Sequence, residues 1–231
     1  MLVKVWDLVL NAEVASLRAC QEGGRATSFA FSKDFKTMMV GSRDGSIAFF
    51  NTEKNFKLIH RVFCNTAIGF ASDEEEVNSL AYLSFSSQAS YLAVGSSSGQ
   101  LVILDLTTME PCFKEHSYIA SETIFVGHRK SAGHPCGQLV TLNTDQNLFT
   151  YDIEEEALAK GSLKRRVTLQ KSGSLCLYLD EVIDVRFISA ESKYAVLCSN
   201  SETLKLLHME TCQVELYTGH DDIVLCLDVV S

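Results

Sequence analysis

The chain has little proline, little tryptophan and little positive charge. It contains two prolines and one tryptophan among 231 residues, and 20 Lys and Arg stand against 29 Asp and Glu, for a formal net charge of −9. So few prolines exclude proline-rich linkers. The negative balance argues against a broad nucleic-acid-binding face, because affinity for phosphate backbones depends on Lys and Arg that displace counterions. A local basic patch is still compatible with this composition.

Long apolar runs are also missing. No run reaches the roughly 18 residues that predict a membrane-spanning helix. The first residues, MLVKVWDL, lack the charged and apolar regions of a secretory signal peptide. Apolar residues nevertheless make up 46% of the chain, which is enough for a sizeable core. These features predict a folded intracellular protein that makes no contact with membranes.

Cysteine and histidine do not occur in the patterns that predict a metal site. No close pair among the eight cysteines has metal-ligand spacing, and without a secretory signal we predict reduced thiols packed as small apolar side chains. The segment GHRKSAGHPCG, residues 127–137, is predicted as a loop punctuated by glycine and proline. It holds His128, His134 and Cys136, but their spacing matches no zinc signature.

The sequence also lacks motifs of nucleotide binding and nucleophilic catalysis. Lys130-Ser131 is not preceded by the glycine of a phosphate-binding loop. No Gly-x-Ser-x-Gly nucleophile turn occurs. We therefore predict that the protein is not an enzyme and has no catalytic, cofactor-binding or metal-binding residues.

A repeat of four strands organises the chain and is clearest in residues 181–229. This stretch contains, in order, the strand-like runs Val182–Ile188, Tyr194–Cys198, Leu204–Leu207, Cys212–Tyr217 and Ile223–Val229. Polar turns separate the first four runs, and Gly219-His220 precedes the fifth. The fifth run contains Cys-Leu-Asp-Val where the first contains Val-Ile-Asp-Val, so the unit starts again after about forty residues. Four strands at this period are the pattern of a β-propeller blade.

The same pattern divides the whole chain into six segments. We predict the end of a blade (strands c and d) at 1–20, a blade at 21–64, a blade with an acidic loop at 65–118, a divergent blade at 119–171, a blade at 172–219 and the first strand of a further blade at 220–231. The equivalent position of strand c is held by Trp6, Phe50, Leu104, Tyr151 and Leu207, at spacings of 44 to 56 residues. The period-two alternation and the lack of a long stretch with the 3.6-residue period argue against a helical alternative. The predicted fold class is all-β, a partial propeller of about four complete four-stranded blades plus flanking strands.

Short motifs in these units resemble the WD-repeat family. Trp6-Asp7 is the dipeptide of that family, Gly219-His220 resembles the dipeptide between strands d and a, and the residues Ser42, Arg43, Asp44 and Gly45 resemble the turn between strands b and c. The resemblance implies a buried network of histidine, serine or threonine, aspartate and tryptophan in each blade. No blade of this chain has the whole set, so we expect apolar packing between neighbouring blades to dominate.

A narrower resemblance is to transducin-β-like WD-repeat subunits of the small-subunit processome. It rests on EVIDVRF, the SNS turn before LK, and GHDDIVLCLDV, all within roughly the last fifty residues. It implies a non-catalytic scaffold of the nucleolus that acts in early ribosomal RNA processing and small-subunit assembly. The implied partners are other propeller proteins of a multi-subunit complex, with indirect or local contact with pre-ribosomal RNA or small nucleolar RNA left open.

Two expectations accompany this resemblance. Such subunits carry two tandem propellers and a helical tail, and this chain has neither in full, which predicts that it is part of a larger protein. The alternative function is a WD-repeat adaptor or signalling platform that recognises a peptide on the propeller rim.

Four basic residues are candidate partner contacts. Arg43 precedes the turn aspartate, where propellers expose side chains on one rim, and Lys164, Arg165 and Arg166 form the only compact basic cluster. That cluster is interpreted either as an RNA contact or as a solvated strand edge that blocks pairing. The acidic run Asp73–Glu76 is likewise either a solvated connector or a docking loop for a basic partner.

Overall fold

The chain folds into β-strands in the computed structural model. The structure describes residues 2–21, 24–63, 75–83, 89–115, 122–131, 133–157, 165–177, 181–188 and 193–229. In these ranges it contains eighteen strands and no helix. The strands are β1 Val3–Asp7, β2 Ala12–Leu17, β3 Ala26–Phe31, β4 Thr37–Ser42, β5 Ser46–Asn51, β6 Lys57–Phe63, β7 Val77–Leu83, β8 Tyr91–Ser96, β9 Leu101–Asp105, β10 Glu110–Glu115, β11 Thr123–Ser131, β12 His134–Asn143, β13 Asn147–Ala157, β14 Arg165–Cys176, β15 Val182–Phe187, β16 Tyr194–Ser199, β17 Leu204–His208 and β18 Val214–Tyr217.

Strands that are neighbours in sequence are neighbours in the sheets. β3 to β6, β7 to β10, β11 to β14 and β15 to β18 each form a four-stranded sheet, and β1 pairs with β2 in a two-stranded sheet. Because strands that follow one another in sequence lie side by side in each sheet, every four-stranded sheet is a meander, as in a propeller blade. The structure thereby confirms the all-β prediction and the repeat of four strands.

The register of the ladders shows that the repeat is structural. In three sheets the pairing of the first two strands shifts at the same place, between Ala26 and Ser28, between Val77 and Ser79, and between Val182 and Asp184. The residues predicted to be equivalent in strand c also pair with equivalent residues of strand b. These pairs are Phe50 with Met38, Leu104 with Leu92, Tyr151 with Leu139 and Leu207 with Ala195.

The cores lie between the faces of sheets, within two compact units, Met1–Thr123 and Ile124–Ser231. In the first unit, Met39 and Phe49 belong to a cluster between the β3–β6 and β7–β10 sheets. Phe50 points to the opposite face, where it packs in a second cluster with residues of β1 and β2. Since β4 and β5 have neighbours on both faces, their side chains are buried almost without interruption. In the second unit, a cluster joins β12 to β15, β16 and β17.

Two details differ from the sequence prediction of the fourth unit. The segment 127–137, predicted as a loop, instead forms the end of β11 and the start of β12 around a short turn with Gly133 at φ +88°. Pro135 is tolerated there because it lies at the beginning of a strand. Strand β14 runs to Cys176 and therefore continues across the predicted boundary at residue 171.

The segment predicted as the first strand of a further blade is not a strand. Residues 218–229 have no strand pairing in the structure. The segment makes isolated hydrogen bonds instead, such as that from the Leu227 N–H to Asp184 Oδ2 at 3.0 Å. An alternating sequence becomes a strand only when a neighbouring strand completes its ladder. Among the described residues, no helix has the length and hydropathy needed to cross a membrane.

Candidate interaction surface

The turn between β4 and β5 carries the densest set of residues singled out in the sequence. The Gly45 N–H donates to the Ser42 carbonyl at 3.1 Å, and Gly45 has a φ of +72°, which glycine adopts without strain. The Ser42 hydroxyl and the Arg43 N–H both donate to the Arg25 carbonyl, at 3.1 Å and 2.8 Å. The turn is therefore held to the segment that enters β3.

Asp44 is the centre of this arrangement. Its Oδ2 accepts the Gln21 N–H at 2.7 Å, and its Oδ1 accepts the Ser46 N–H at 3.0 Å and the Ser46 hydroxyl at 2.6 Å. Burial raises the pKa of Asp44, but the hydrogen bonds from Ser46, Gln21 and Ser42 outweigh it, so the pKa is lowered. The Gln21 backbone N–H thus donates a hydrogen bond to Asp44 in a unit that lacks the histidine of typical WD-repeat blades. The sequence gives no signal for Gln21, because a backbone donor can come from any residue except proline.

The same turn packs against the segment before β7. A Cβ placed on Gly45 would lie 2.5 Å from the Glu75 carbonyl oxygen. The Arg43 Nε donates to Glu76 Oε2 at 2.8 Å. Glu75 is 5% exposed, and its Oε1 accepts the Ser98 N–H at 2.8 Å. These contacts join the turns of two neighbouring sheets.

The acidic run is therefore partly structural. Glu75 and Glu76 bond to residues of the two turns instead of forming a solvated connector or a free docking loop. Asp73 and Glu74 lie outside the described residues. Arg43 is more than half exposed despite its ion pair, so it remains accessible to a partner.

The basic cluster on β14 is balanced by acidic residues. Arg165 Nη1 contacts Glu155 Oε1 at 2.8 Å, with side chains that are 19% and 10% exposed. Arg166 lies opposite Glu156 in the β13–β14 ladder. Lys164 lies outside the described residues. This part of the sheet therefore does not present a purely cationic surface to RNA phosphates.

The two family dipeptides take different places. Asp7 Oδ1 accepts the N–H groups of Val9 and Leu10, at 2.8 Å and 2.9 Å, and so stabilises the β1–β2 turn. Trp6 is 52% exposed. Gly219 and His220 are exposed in the segment that follows β18. Within the first unit, Trp6 and Asp7 lie on β1 and are not part of the Asp44 turn.

The three residues considered as metal ligands take separate roles. The His128 Nε2 lies 3.0 Å from the Cys136 carbonyl oxygen, and His134 Nδ1 lies 3.3 Å from Asp152 Oδ1. Burial lowers the pKa of His128. Within the described ranges, no group of three or more His, Cys, Asp or Glu is arranged to hold a metal ion.

A buried polar chain in the second unit was not predicted from the sequence. Arg129 Nη2 donates to Gln138 Oε1 at 2.5 Å, and Gln138 Nε2 donates to Asp152 Oδ1 at 2.6 Å. Arg129 and Gln138 are both buried. The three residues belong to β11, β12 and β13, so the chain connects adjacent strands across the sheet.

Comparison with known proteins supports the resemblance to WD-repeat proteins. The chain is 28% identical to human transducin beta-like protein 3 over 204 residues, which is 88% of this chain and 23% of that protein. It is 38% identical to transducin beta-like protein 3 of Bos taurus over 96 residues, 42% of this chain and 10% of that protein. A WD repeat-containing protein 53 homolog of Dictyostelium discoideum is 28% identical over 175 residues, 72% of this chain and 44% of that protein. No protein-family model matches.

The structural comparison establishes the fold. The structure of U3-55K superposes with a TM-score of 0.64 at 16% identity, covering 89% of this chain and 55% of that one. The chain therefore resembles the WD-repeat family and has the all-β fold of a WD-repeat propeller, in part. It spans between a tenth and about a quarter of the length of the transducin beta-like relatives.

Proposed function

We propose that the chain is part of a non-catalytic scaffold in the nucleolar small-subunit processome, where it acts in early ribosomal RNA processing and small-subunit assembly. The observation that carries this proposal is the similarity to human transducin beta-like protein 3 along 88% of the chain. The resemblance to processome subunits noted in the sequence points the same way. Its partners would be other propeller proteins of the complex, inside the nucleus.

Polar side chains of the first unit form hydrogen bonds within the fold, and this supports a scaffold function. Asp44 and Ser42 bond to the backbone of the segment that enters β3, and Glu75 bonds to the turn of the neighbouring sheet. Groups held in this way define the shape of a rim, and rims of rigid repeat sheets are surfaces on which other proteins bind. Arg43 projects from that rim and is the proposed partner contact in the first unit.

We propose that protein, rather than RNA, is the direct partner of the β13–β14 region. Arg165 and Arg166 lie beside Glu155 and Glu156. The negative charges of these carboxylates offset the positive charges of the arginines and so weaken the attraction for phosphate. Contact with pre-ribosomal RNA or small nucleolar RNA would then be local or indirect.

The second candidate function is a WD-repeat adaptor that recognises a peptide on its rim. The similarity to the WD repeat-containing protein 53 homolog over 72% of the chain favours this candidate. The two candidate functions predict different binding partners, since an adaptor would associate with its peptide-bearing target and not with ribosome-assembly factors.

Affinity capture of the tagged full-length protein from its own cells tests the proposal. We expect other propeller proteins and small-subunit assembly factors to be recovered, and to remain after ribonuclease treatment because the contacts are between proteins. Arg43→Glu is expected to lower the yield of a subset of them, while Lys193→Glu, an exchange at an exposed lysine of the second unit, serves as the control. Capture without any ribosome-assembly factor would refute the proposal.

A further inference from the structure

The first unit contains a cleft to which the proposed function assigns no role. It has a volume of about 570 Å³ and lies between the β3–β6 and β7–β10 sheets, at the end of β4 opposite the Arg43–Gly45 turn. Its apolar lining consists of the buried side chains of Met39 and Phe49 and of the side chains of Ile59, Tyr82, Leu106 and Met109, which are partly or largely exposed. This size and lining are typical of sites that take up apolar groups of a ligand.

The walls of the cleft are preformed. Met39 and Phe49 are buried in the core cluster between the two sheets, which fixes their positions from behind. The Tyr82 hydroxyl bonds to Ser90 Oγ at 2.8 Å, so its polar atom is satisfied and its ring is left as an apolar wall. Ile59 is 54% exposed on the outer strand β6. An occupant would cover apolar surface without first rearranging the cleft.

An exposed aromatic residue stands in the turn that contributes to the cleft mouth. Phe35 is 70% exposed and has a φ of +57°, a left-handed conformation that is an outlier for a bulky residue. Its ring centroid lies 6.0 Å from that of Phe31, which is also exposed. Uncovered large apolar side chains beside a preformed cleft are characteristic of a protein-interaction surface.

One lysine at the mouth of the cleft has no ion-pair partner among the described residues. Lys33 lines the cleft, is exposed, and makes no hydrogen bond or ion pair with the part of the chain that the structure describes. Its neighbours are engaged. Asp34 accepts the Ser32 hydroxyl at 2.6 Å and the Lys36 N–H at 3.1 Å. The Lys36 ammonium pairs with Glu53 at 3.1 Å.

The surroundings of the cleft favour an acidic occupant. Asp34 also lines the cleft, but its carboxylate is bonded to Ser32 and Lys36. Two further exposed lysines lie close to Ile59 along the chain and outside the cleft lining, Lys54 in the turn before β6 and Lys57 at the first residue of β6. These positive charges occur on a chain whose formal net charge is −9. Because complementary charge steers association and selects the partner, carboxylates are the groups that this rim would attract.

We propose that the cleft is the docking site for an extended segment of a partner protein that inserts one large apolar side chain between the two sheets and places carboxylates against Lys33. The proposal rests on the scaffold function proposed above, because it specifies the chemistry of one partner. The apolar anchor supplies buried contact area, and the carboxylates supply orientation and discrimination.

Selection of a random nonapeptide library, displayed on phage, against the immobilised chain tests this proposal. We expect enriched peptides to contain Leu, Ile, Phe or Met next to Asp or Glu. A labelled synthetic peptide of the consensus sequence is then titrated by fluorescence anisotropy. Lys33→Glu and Ile59→Ser are each expected to weaken its binding by about tenfold or more. The matched charge exchange Lys193→Glu, in the second unit, is expected to leave binding unchanged.

The outcomes that would overturn the proposal are distinct. They are no enriched peptide, a consensus without acidic residues, or binding that is unchanged by Lys33→Glu. Circular dichroism checks the folding of each variant. If Ile59→Ser does not fold, the peptide affinity of Lys33→Glu, an exchange at an exposed position, tests the proposal alone. A dimer in sedimentation velocity that Lys33→Glu dissociates would assign the cleft to a second copy and would also overturn the proposal. Failure here leaves the affinity capture untouched, since that experiment asks which assembly contains the protein.

Discussion

The Asp44 carboxylate accepts the backbone N–H of Gln21 at 2.7 Å, although 23 residues separate the two in sequence. One of these residues precedes the first strand of the β3–β6 sheet, and the other lies in the turn between its second and third strands. The bond therefore fixes the entry of the chain to the rim of the same sheet. Arg43 and Gly45, on either side of Asp44, join this rim to the next sheet.

Asp44→Asn is expected to destabilise the chain by about 1–3 kcal/mol, because the amide nitrogen cannot accept the bonds that the carboxylate accepts. Asp34→Asn is the matched control, since Asp34 also caps a turn but is exposed. Urea unfolding at pH 7 measures both. The pKa of Asp44 is lowered in the folded state, so its contribution is present above the unfolded value of about 3.9 and is lost as the pH falls through the lower folded value. Equal losses for the two variants would contradict the central role of Asp44.

Gly45→Ala is expected to cost more stability than Gly133→Ala. Both glycines have positive φ, of +72° and +88°, so each alanine incurs the left-handed penalty of about 1–2 kcal/mol. Only the Gly45 Cβ would also meet the Glu75 carbonyl, at 2.5 Å, whereas nothing lies within 4 Å of the Gly133 Cβ. Thermal and urea unfolding of the two variants measure the difference. A larger loss of stability in Gly133→Ala than in Gly45→Ala would contradict the close contact between Gly45 and Glu75.

Arg165→Ala is expected to destabilise the chain by about 3 kcal/mol, because it removes the ion pair between Arg165 and the largely buried Glu155 carboxylate. Arg166→Ala, an exchange at an exposed neighbour, is expected to change the free energy of unfolding by less than about 0.5 kcal/mol. Urea unfolding compares the pair. Similar changes in the free energy of unfolding for both variants would show that Arg165 does not stabilise the fold. Arg165 would then again be a candidate partner contact.

Acidification is expected to destabilise the chain in part through His128. Burial lowers the pKa of His128 in the folded state, so below about pH 6.5 the unfolded chain binds a proton that the folded chain does not. Stability that is present above that pH is therefore lost as the pH falls. His128→Gln should reduce the loss of unfolding free energy between pH 7 and pH 5, and the same exchange at exposed His220 controls for replacing a histidine. An unchanged loss in His128→Gln would refute the assignment.

The positions that repeat from strand to strand were predicted well from the sequence, whereas the hydrogen-bond partners of individual side chains were not. The equivalent strand-c residues Phe50, Leu104 and Leu207 are buried and paired as the repeat predicts, whereas Tyr151 is paired but half-buried and Trp6 is exposed. The partner of Asp44 was not predictable, because a backbone N–H carries no residue signature. The segment 127–137 was predicted as a loop from its glycines and proline, yet pairing between β11 and β12 prevails there.

The sequence by itself determined the strand period, the four-strand unit and the resemblance to WD-repeat proteins, because alternation of apolar and polar residues is a local property. Only the tertiary structure decided which charges are available to a partner. Glu75 and Glu76 reach their partners only after two sheets pack, and Arg165 reaches Glu155 only after β13 and β14 pair. Lys33 at the cleft mouth stands out only once its neighbours are paired. Side-chain partners depend on contacts between residues far apart in sequence, which a pattern of neighbours along the chain does not contain.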